Sequence, residues 1–231
     1  MMNEAFVGQT NSEATMKLPD RVRFVAIDGV IGAGKTSLAR ILAKELGANL
    51  VLEQFEDNPF LPRFYEDPSA YAFQTQLFFL LSRLRQFQDA FVQNDLFRHY
   101  VVSDYTFEKD RIFALQNLTE SEMVMYDTVS TNLSKSLPNP DLIIYLQADV
   151  PTLLNRINKR GRPMEKSIEG NYLRDLLQRY DHHFWHYTKA PVLIINTNKI
   201  DFVHNEKHLQ MVLNAIAAAP TQTTYFAPEG G

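Results

Sequence analysis

The chain has 231 residues, 45% of them hydrophobic and 22% charged, with a net charge of −4 and no cysteine. That length suits one domain with a full core, and the weak negative balance leaves no footprint for nucleic acid or an anionic membrane. The missing cysteines exclude disulfides, thiol catalysis and thiolate metal sites, and they fit a reducing cytoplasm. No apolar run approaches the roughly 20 residues of a membrane span. Residues 1–20 lack the basic flank and apolar stretch of a signal peptide and are expected to form a flexible extension. A domain over 21–219 then follows, with a second flexible tail over 220–231.

A first strand is predicted over 24–27, Phe-Val-Ala-Ile, and a first helix over 37–46, closed by Gly47. Between them Gly29, Val30, Ile31, Gly32, Ala33, Gly34, Lys35 and Thr36 fill the pattern G-x-x-x-x-G-K-[ST] in the strand-to-helix context it demands. Glycines let the backbone wrap phosphate oxygens, and amides of the loop and of the helix start, Ser37 included, point at the anion. Lys35 reaches the β- and γ-phosphates of a nucleoside triphosphate such as ATP, and the Thr36 hydroxyl suits Mg2+.

A second strand over 49–52 ends on Glu53. A strand, helix, strand unit of this kind implies a parallel sheet whose ligands sit beyond the carboxyl ends of the strands, so Glu53 belongs to the active edge. Prolines break 54–68, and 69–92 reads as one long helix with a broad apolar surface. In it Gln76 and Arg83, two turns apart, share a face with Phe79 and Leu80, either as an exposed polar stripe or as part of a site.

A third strand over 100–103 ends at Asp104, placed like Glu53 to orient an attacking hydroxyl or hold a metal. Residues 107–118, with Asp110, precede a helix over 120–137 and a fourth, buried strand over 141–146. A helix over 151–159 runs into Arg160-Gly161-Arg162-Pro163. Arg156 and Arg160 share its face, as a mobile basic lid over phosphates requires. A helix over 170–187, a fifth strand over 191–195 and a helix over 204–219 complete the chain.

Taken together these motifs resemble the deoxynucleoside kinase family, specifically its bacterial deoxyadenosine and deoxyguanosine branch. The resemblance runs from about residue 23 to 202 and rests on separated motifs in order: the phosphate loop, Glu53 in Leu-Glu-Gln-Phe-Glu-Asp-Asn-Pro-Phe, Tyr65 eleven before Gln76, Gln76 with Arg83, Ser103 to Arg111, and the lid. It implies the P-loop kinase fold, a five-stranded parallel sheet flanked by helices with a helical lid, and ATP-dependent, Mg2+-dependent 5′-phosphorylation of a purine deoxynucleoside, deoxyadenosine ahead of deoxyguanosine. Glu53 would accept the proton of the 5′-hydroxyl. Gln76 would read the base edge with Arg83 and Asp110, and Tyr65 with Glu165 would bind the 3′-hydroxyl. Arg156 and Arg160 would clamp phosphates, and Thr36 with Asp104 would attend the metal. Family members commonly form homodimers, and the wide apolar surface of 69–92 permits one here.

One departure stands out. Many animal members carry Glu-Arg-Ser after the third strand, where this chain has Asp104-Tyr105-Thr106; the lid arginines are the expected substitutes for the missing cation. Two rivals share parts of the pattern. A nucleoside monophosphate kinase of the thymidylate kinase type has the loop and lid but needs a cation where Glu53 stands. A GTP-binding switch would read guanine with Asn198-Lys199-Ile200-Asp201, yet no D-x-x-G follows the third strand. His182, His183 and His186 have metal-compatible helical spacing and read as ordinary packing, while Phe79 or Phe113 offers a face for a nucleobase.

Overall fold

The structure, a computed structural model, describes residues 16–92, 99–135 and 137–228. Among the described residues six strands form one sheet: β1 (Phe24–Asp28), β2 (Asn49–Val51), β3 (Val101–Ser103), β4 (Leu142–Gln147), β5 (Val192–Asn196) and β6 (Thr224–Phe226). Their order is β2-β3-β1-β4-β5-β6, and every pairing is parallel. The helices are α1 (Lys35–Leu46), α2 (Leu61–Glu66), α3 (Pro68–Val92), α4 (Glu108–Asn117), α5 (Glu120–Ser134), α6 (Val150–Arg160), α7 (Gly170–Trp185) and α8 (Glu206–Ala217).

Strand β1 is buried throughout and divides two cores by the alternation of its side chains. Val25 and Ile27 join the main core, which takes in the buried faces of α1, α6, α7 and α8. Phe24 and Ala26 meet Val51, Val101 and Tyr105, together with Phe87 and Ala90 of α3. Each large side chain so enclosed contributes roughly 1.5–3 kcal/mol relative to exposure. With β3 on one side of β1 and β4 on the other, the chain reverses its direction of travel across the sheet at β1, which is where parallel sheets open a crevice for ligands.

Helix α3 explains how polar residues become part of the interior. Ala72, Gln76, Leu80, Arg83, Phe87 and Ala90 recur at helical spacing and are all buried. Gln76 and Arg83 therefore stand within the inward stripe of the helix. The alternative of an exposed polar stripe does not hold.

Three expectations need correction at the ends of elements. The sheet has six strands rather than five, because residues 224–226 of the supposedly frayed tail pair with β5. The N-terminal extension is shorter than 1–20: the Met16 amide donates to the Glu45 carbonyl at 3.0 Å, and Leu18 is buried in the main core. Residues 1–15 lie outside the described residues, as do 229–231 of the tail. Helix α8 begins at Glu206 because Asn205 caps it, its side chain accepting from the His208 amide.

Candidate active site

The ends of β1, β2 and β3 converge on one cavity of about 450 Å³. Its first wall is the phosphate loop. Gly29 has φ 150°, and a Cβ there would lie 2.5 Å from the Leu146 carbonyl oxygen of β4. At Gly32, φ 86°, a Cβ would meet the Leu153 carbonyl at 2.9 Å, so the loop packs directly on α6. Val30 and Ala33 turn their side chains into the core, away from a ligand. Helix α1 starts at Lys35 with no acidic residue in its first turn, which keeps its positive end available to an anion.

Lys35 folds back on this loop, its Nζ donating to the Gly29 carbonyl at 2.7 Å and the Val30 carbonyl at 3.2 Å. Burial, and then the charge of Lys109, lower its pKa to about 8, against the pull of Asp28, Glu53 and Asp104. Beside it the Thr36 hydroxyl donates to Asp104 Oδ2 at 2.6 Å, and Asp104 Oδ1 accepts the Glu53 amide at 2.8 Å. A hydroxyl and a carboxylate are the hard oxygen donors that magnesium takes while keeping water and phosphate as its other ligands. The donor set at Thr36 and Asp104 fits that ion.

Glu53 is gripped from two sides. Arg83 donates to Oε1 through Nε at 3.1 Å and Nη2 at 2.6 Å, and Lys109 Nζ donates to Oε2. Burial works to raise the Glu53 carboxyl, but the charges of Lys109 and Arg83 overcome it and hold the group well below the usual carboxylate range. The remaining Arg83 nitrogen, Nη1, pairs with Asp110, whose other oxygen accepts from the Tyr126 hydroxyl at 2.6 Å. Burial lifts Asp110 to about 6 in spite of Arg83.

The expected base-reading group is only partly brought to the cavity. Gln76 and Arg83 line it, with Phe79 and Phe113 as flanking rings. Gln76 is almost wholly buried, and its Oε1 finds no partner among the described residues. Such an orphan acceptor is costly unless a ligand fills it. Asp110 does not reach the wall: it is fully buried behind Arg83, both oxygens engaged, and serves to hold the guanidinium.

Tyr65 and Glu165 both line the cavity, as the sugar-binding expectation requires. Burial raises the Tyr65 pKa further above its ordinary value, so the phenol stays neutral. Glu165 carries the lid: Arg160 donates to it at 2.7 and 2.8 Å through Nη2, Arg162 lies 3.5 Å away, and the Arg162 guanidinium sits 4.2 Å above the Phe55 ring. Arg156 departs from expectation. Its guanidinium bonds the Thr197 hydroxyl at 3.0 Å and carbonyl at 2.8 Å, with the Ala33 carbonyl at 3.5 Å, so it ties α6 to the loops.

Sequence reasoning gave no role to Asp28 or Lys109. Asp28, fully buried at the end of β1, accepts from the Gly29 amide at 2.8 Å, the Thr106 amide at 3.1 Å and the Tyr180 hydroxyl at 3.2 Å. Thr106 in turn receives the Lys109 amide on its hydroxyl at 3.2 Å, fixing the start of α4 and aiming Lys109 at Glu53. Lysine in the first turn of a helix runs against the dipole, a local cost that hints at a partner. The residues of the guanine-reading pattern are occupied elsewhere: Asn198 Oδ1 accepts the Asp149 amide at 2.8 Å, and Asp201 Oδ1 accepts the amides of Val203 and His204, each at 3.0 Å.

Comparison with known proteins bears on this geometry. Residues 25–219 match the family model described as deoxynucleoside kinase. The chain is 38% identical over 196 residues to a deoxyguanosine kinase of Bacillus subtilis, covering 82% of this chain and 93% of that one. It is 33% identical over 210 residues to a deoxyadenosine kinase of Lactobacillus acidophilus, covering 84% and 95%. Among solved structures, a deoxyadenosine kinase from M. mycoides with bound dCTP superposes with a TM-score of 0.71 at 25% identity, covering 84% of this chain and 99% of that one.

Proposed function

The chain belongs to the deoxynucleoside kinase family, an enzyme that phosphorylates a deoxynucleoside to its monophosphate, and from that premise we propose the substrates and the roles at its site. The donor is ATP with Mg2+, and the acceptor is the 5′-hydroxyl of a purine deoxynucleoside. The observation that carries this reading is the placement of the Glu53 carboxylate across one cavity from the Lys35 loop, with the unfilled Gln76 amide farther along the same wall.

The phosphate loop amides and Lys35 hold the triphosphate, and Thr36 with Asp104 would hold Mg2+, which neutralises phosphate charge when bound. Glu53, kept ionised by Arg83 and Lys109, orients the 5′-hydroxyl and takes its proton late, since so acidic a carboxyl is a weak base. Gln76 presents both a donor and an acceptor and, by turning its amide over, reads either adenine or guanine. Tyr65 and Glu165 meet the 3′-hydroxyl, and Arg160, joined to Glu165, couples sugar binding to the lid.

The relatives described above are deoxynucleoside kinases, which leaves the monophosphate kinase alternative without support. The occupied side chains of Asn198 and Asp201 disfavour a guanine switch. Among the described residues no helix is long and apolar enough to cross a membrane. A cytoplasmic setting fits the cysteine-free composition. A homodimer is also part of this reading, supported by Leu81 of α3 and Val124, Met125 and Val129 of α5, large apolar side chains left exposed on two helices that pack together.

The test is a panel of deoxynucleosides, ribonucleosides and monophosphates with ATP and Mg2+, run with Glu53→Gln. Purine deoxynucleosides should turn over fastest, and Glu53→Gln should lower kcat by about 100-fold or more while nucleotide still binds. Turnover of a monophosphate but of no free nucleoside would sink the reading.

A further inference from the structure

The site poses a question about charge. The position that holds arginine in many animal members is Tyr105 here, and its side chain turns away: it is fully buried, its ring 4.8 Å from that of Phe87, its hydroxyl donating to Gln86 at 2.6 Å. Nor is the Arg160 charge free, since its guanidinium is joined to Glu165 by three hydrogen bonds. Among the described residues Lys109 is the remaining cation in contact with Glu53 besides Arg83, and it is nearly buried at the cavity wall.

Counting lone pairs locates the acceptor. A carboxylate oxygen accepts about two hydrogen bonds in its plane. Oε1 of Glu53 already has two, both from Arg83. Oε2 has one, from Lys109. The 5′-hydroxyl must therefore donate to Oε2, beside the Lys109 ammonium. Lys35 and Lys109 feel each other's charge across the cavity, so a phosphoryl group passing between donor and acceptor is met by both.

We propose that Lys109 is a catalytic residue, the cation that steadies the attacking 5′-oxygen and the transferred phosphoryl from the acceptor side while Lys35 holds the donor side. This rests on the reading that Glu53 faces the 5′-hydroxyl. In the step, the 5′-oxygen forms the new bond to the γ-phosphorus and the bond from that phosphorus to the β-bridging oxygen breaks. ADP leaves with the electron pair, and the hydroxyl proton passes to Glu53 Oε2. Lys109 contributes charge and two remaining N–H donors.

The experiment compares wild type, Lys109→Met, Lys109→Arg and Arg160→Ala in steady-state kinetics across pH, with thermal melts for each. Lys109→Met should lower kcat by about 100-fold with KM for ATP within about threefold, a larger kcat loss than Arg160→Ala. Lys109→Arg should recover at least about tenfold of the lost kcat. If Lys109→Met does not fold, Lys109→Gln takes its place. Retention of kcat within about threefold, or a kcat loss that Lys109→Arg does not rescue, overturns the proposal. A wild type inactive on every deoxynucleoside overturns the underlying reading instead, whichever way the variants fall.

Discussion

Thr36, the last residue of the phosphate loop, gives its hydroxyl proton to Asp104 at the end of β3, 2.6 Å away. The same carboxylate receives the backbone amide of Glu53, so a single acid joins the donor loop to the residue facing the acceptor. Asp104→Asn keeps the shape and removes the charge that would attract magnesium. We expect the Mg2+ concentration for half-maximal activity to rise by about tenfold, with the deoxynucleoside KM changed less than threefold, read from metal titrations of initial rate. An unchanged metal requirement would remove Asp104 from the metal site.

Gln76→Ala removes the orphan acceptor and its donor together. Acceptor affinity should fall by about 1–3 kcal/mol, and the ranking of adenine over guanine substrates should change. Competition between deoxyadenosine and deoxyguanosine measures this directly. A uniform loss for every acceptor would argue that the amide supports the wall without reading the base.

The Arg83–Asp110 pair is buried on both sides. Asp110→Ala leaves a guanidinium and the Tyr126 hydroxyl without their common partner, a loss of roughly 3 kcal/mol or more. For a domain of this size that corresponds to a Tm lower by about 6–12 °C in calorimetry. A melt within about 2 °C of wild type would show that Glu53 alone suffices to hold Arg83.

Lys35 titrates near 8 before any nucleotide arrives. Its charged form binds phosphate, and phosphate in turn favours the charged form. ATP affinity should therefore weaken as pH rises through 8, and binding at about pH 8.5 should take up protons. Calorimetry in buffers of different ionisation enthalpy counts them. Zero uptake at that pH would place the ordinary lysine charge in the free enzyme.

Met125→Glu on the outer face of α5 places a charge in the proposed subunit contact. Light scattering should give a mass near 53 kDa for wild type, twice the 26.6 kDa chain, and near one chain for the variant. A wild type that is already monomeric at micromolar concentration would end the dimer reading.

What could be read in advance follows from how local each signal was. The phosphate loop was legible because strand, glycines and helix lie within one short stretch, and β1, β4 and β5 because burial on both faces gives unbroken apolar runs. Strand β6 was not: three residues at the sheet edge, two of them exposed, carry no alternation to detect. Gln76 and Arg83 were found by spacing, but Arg83 is buried against Glu53 and Asp110, which are distant in sequence. Lys109 and Asp28 escaped notice for the same reason, since each acquires meaning only through a partner on another strand or helix.

Because Gly32 abuts the Leu153 carbonyl and Arg156 is fastened to Thr197, the middle of α6 is moored to the floor of the nucleotide cradle. Past its last turn the chain bends at Gly161, φ 69°, and Arg162 stacks on Phe55. A lid that hinged at Gly161 would leave the cradle for the triphosphate assembled as it moved.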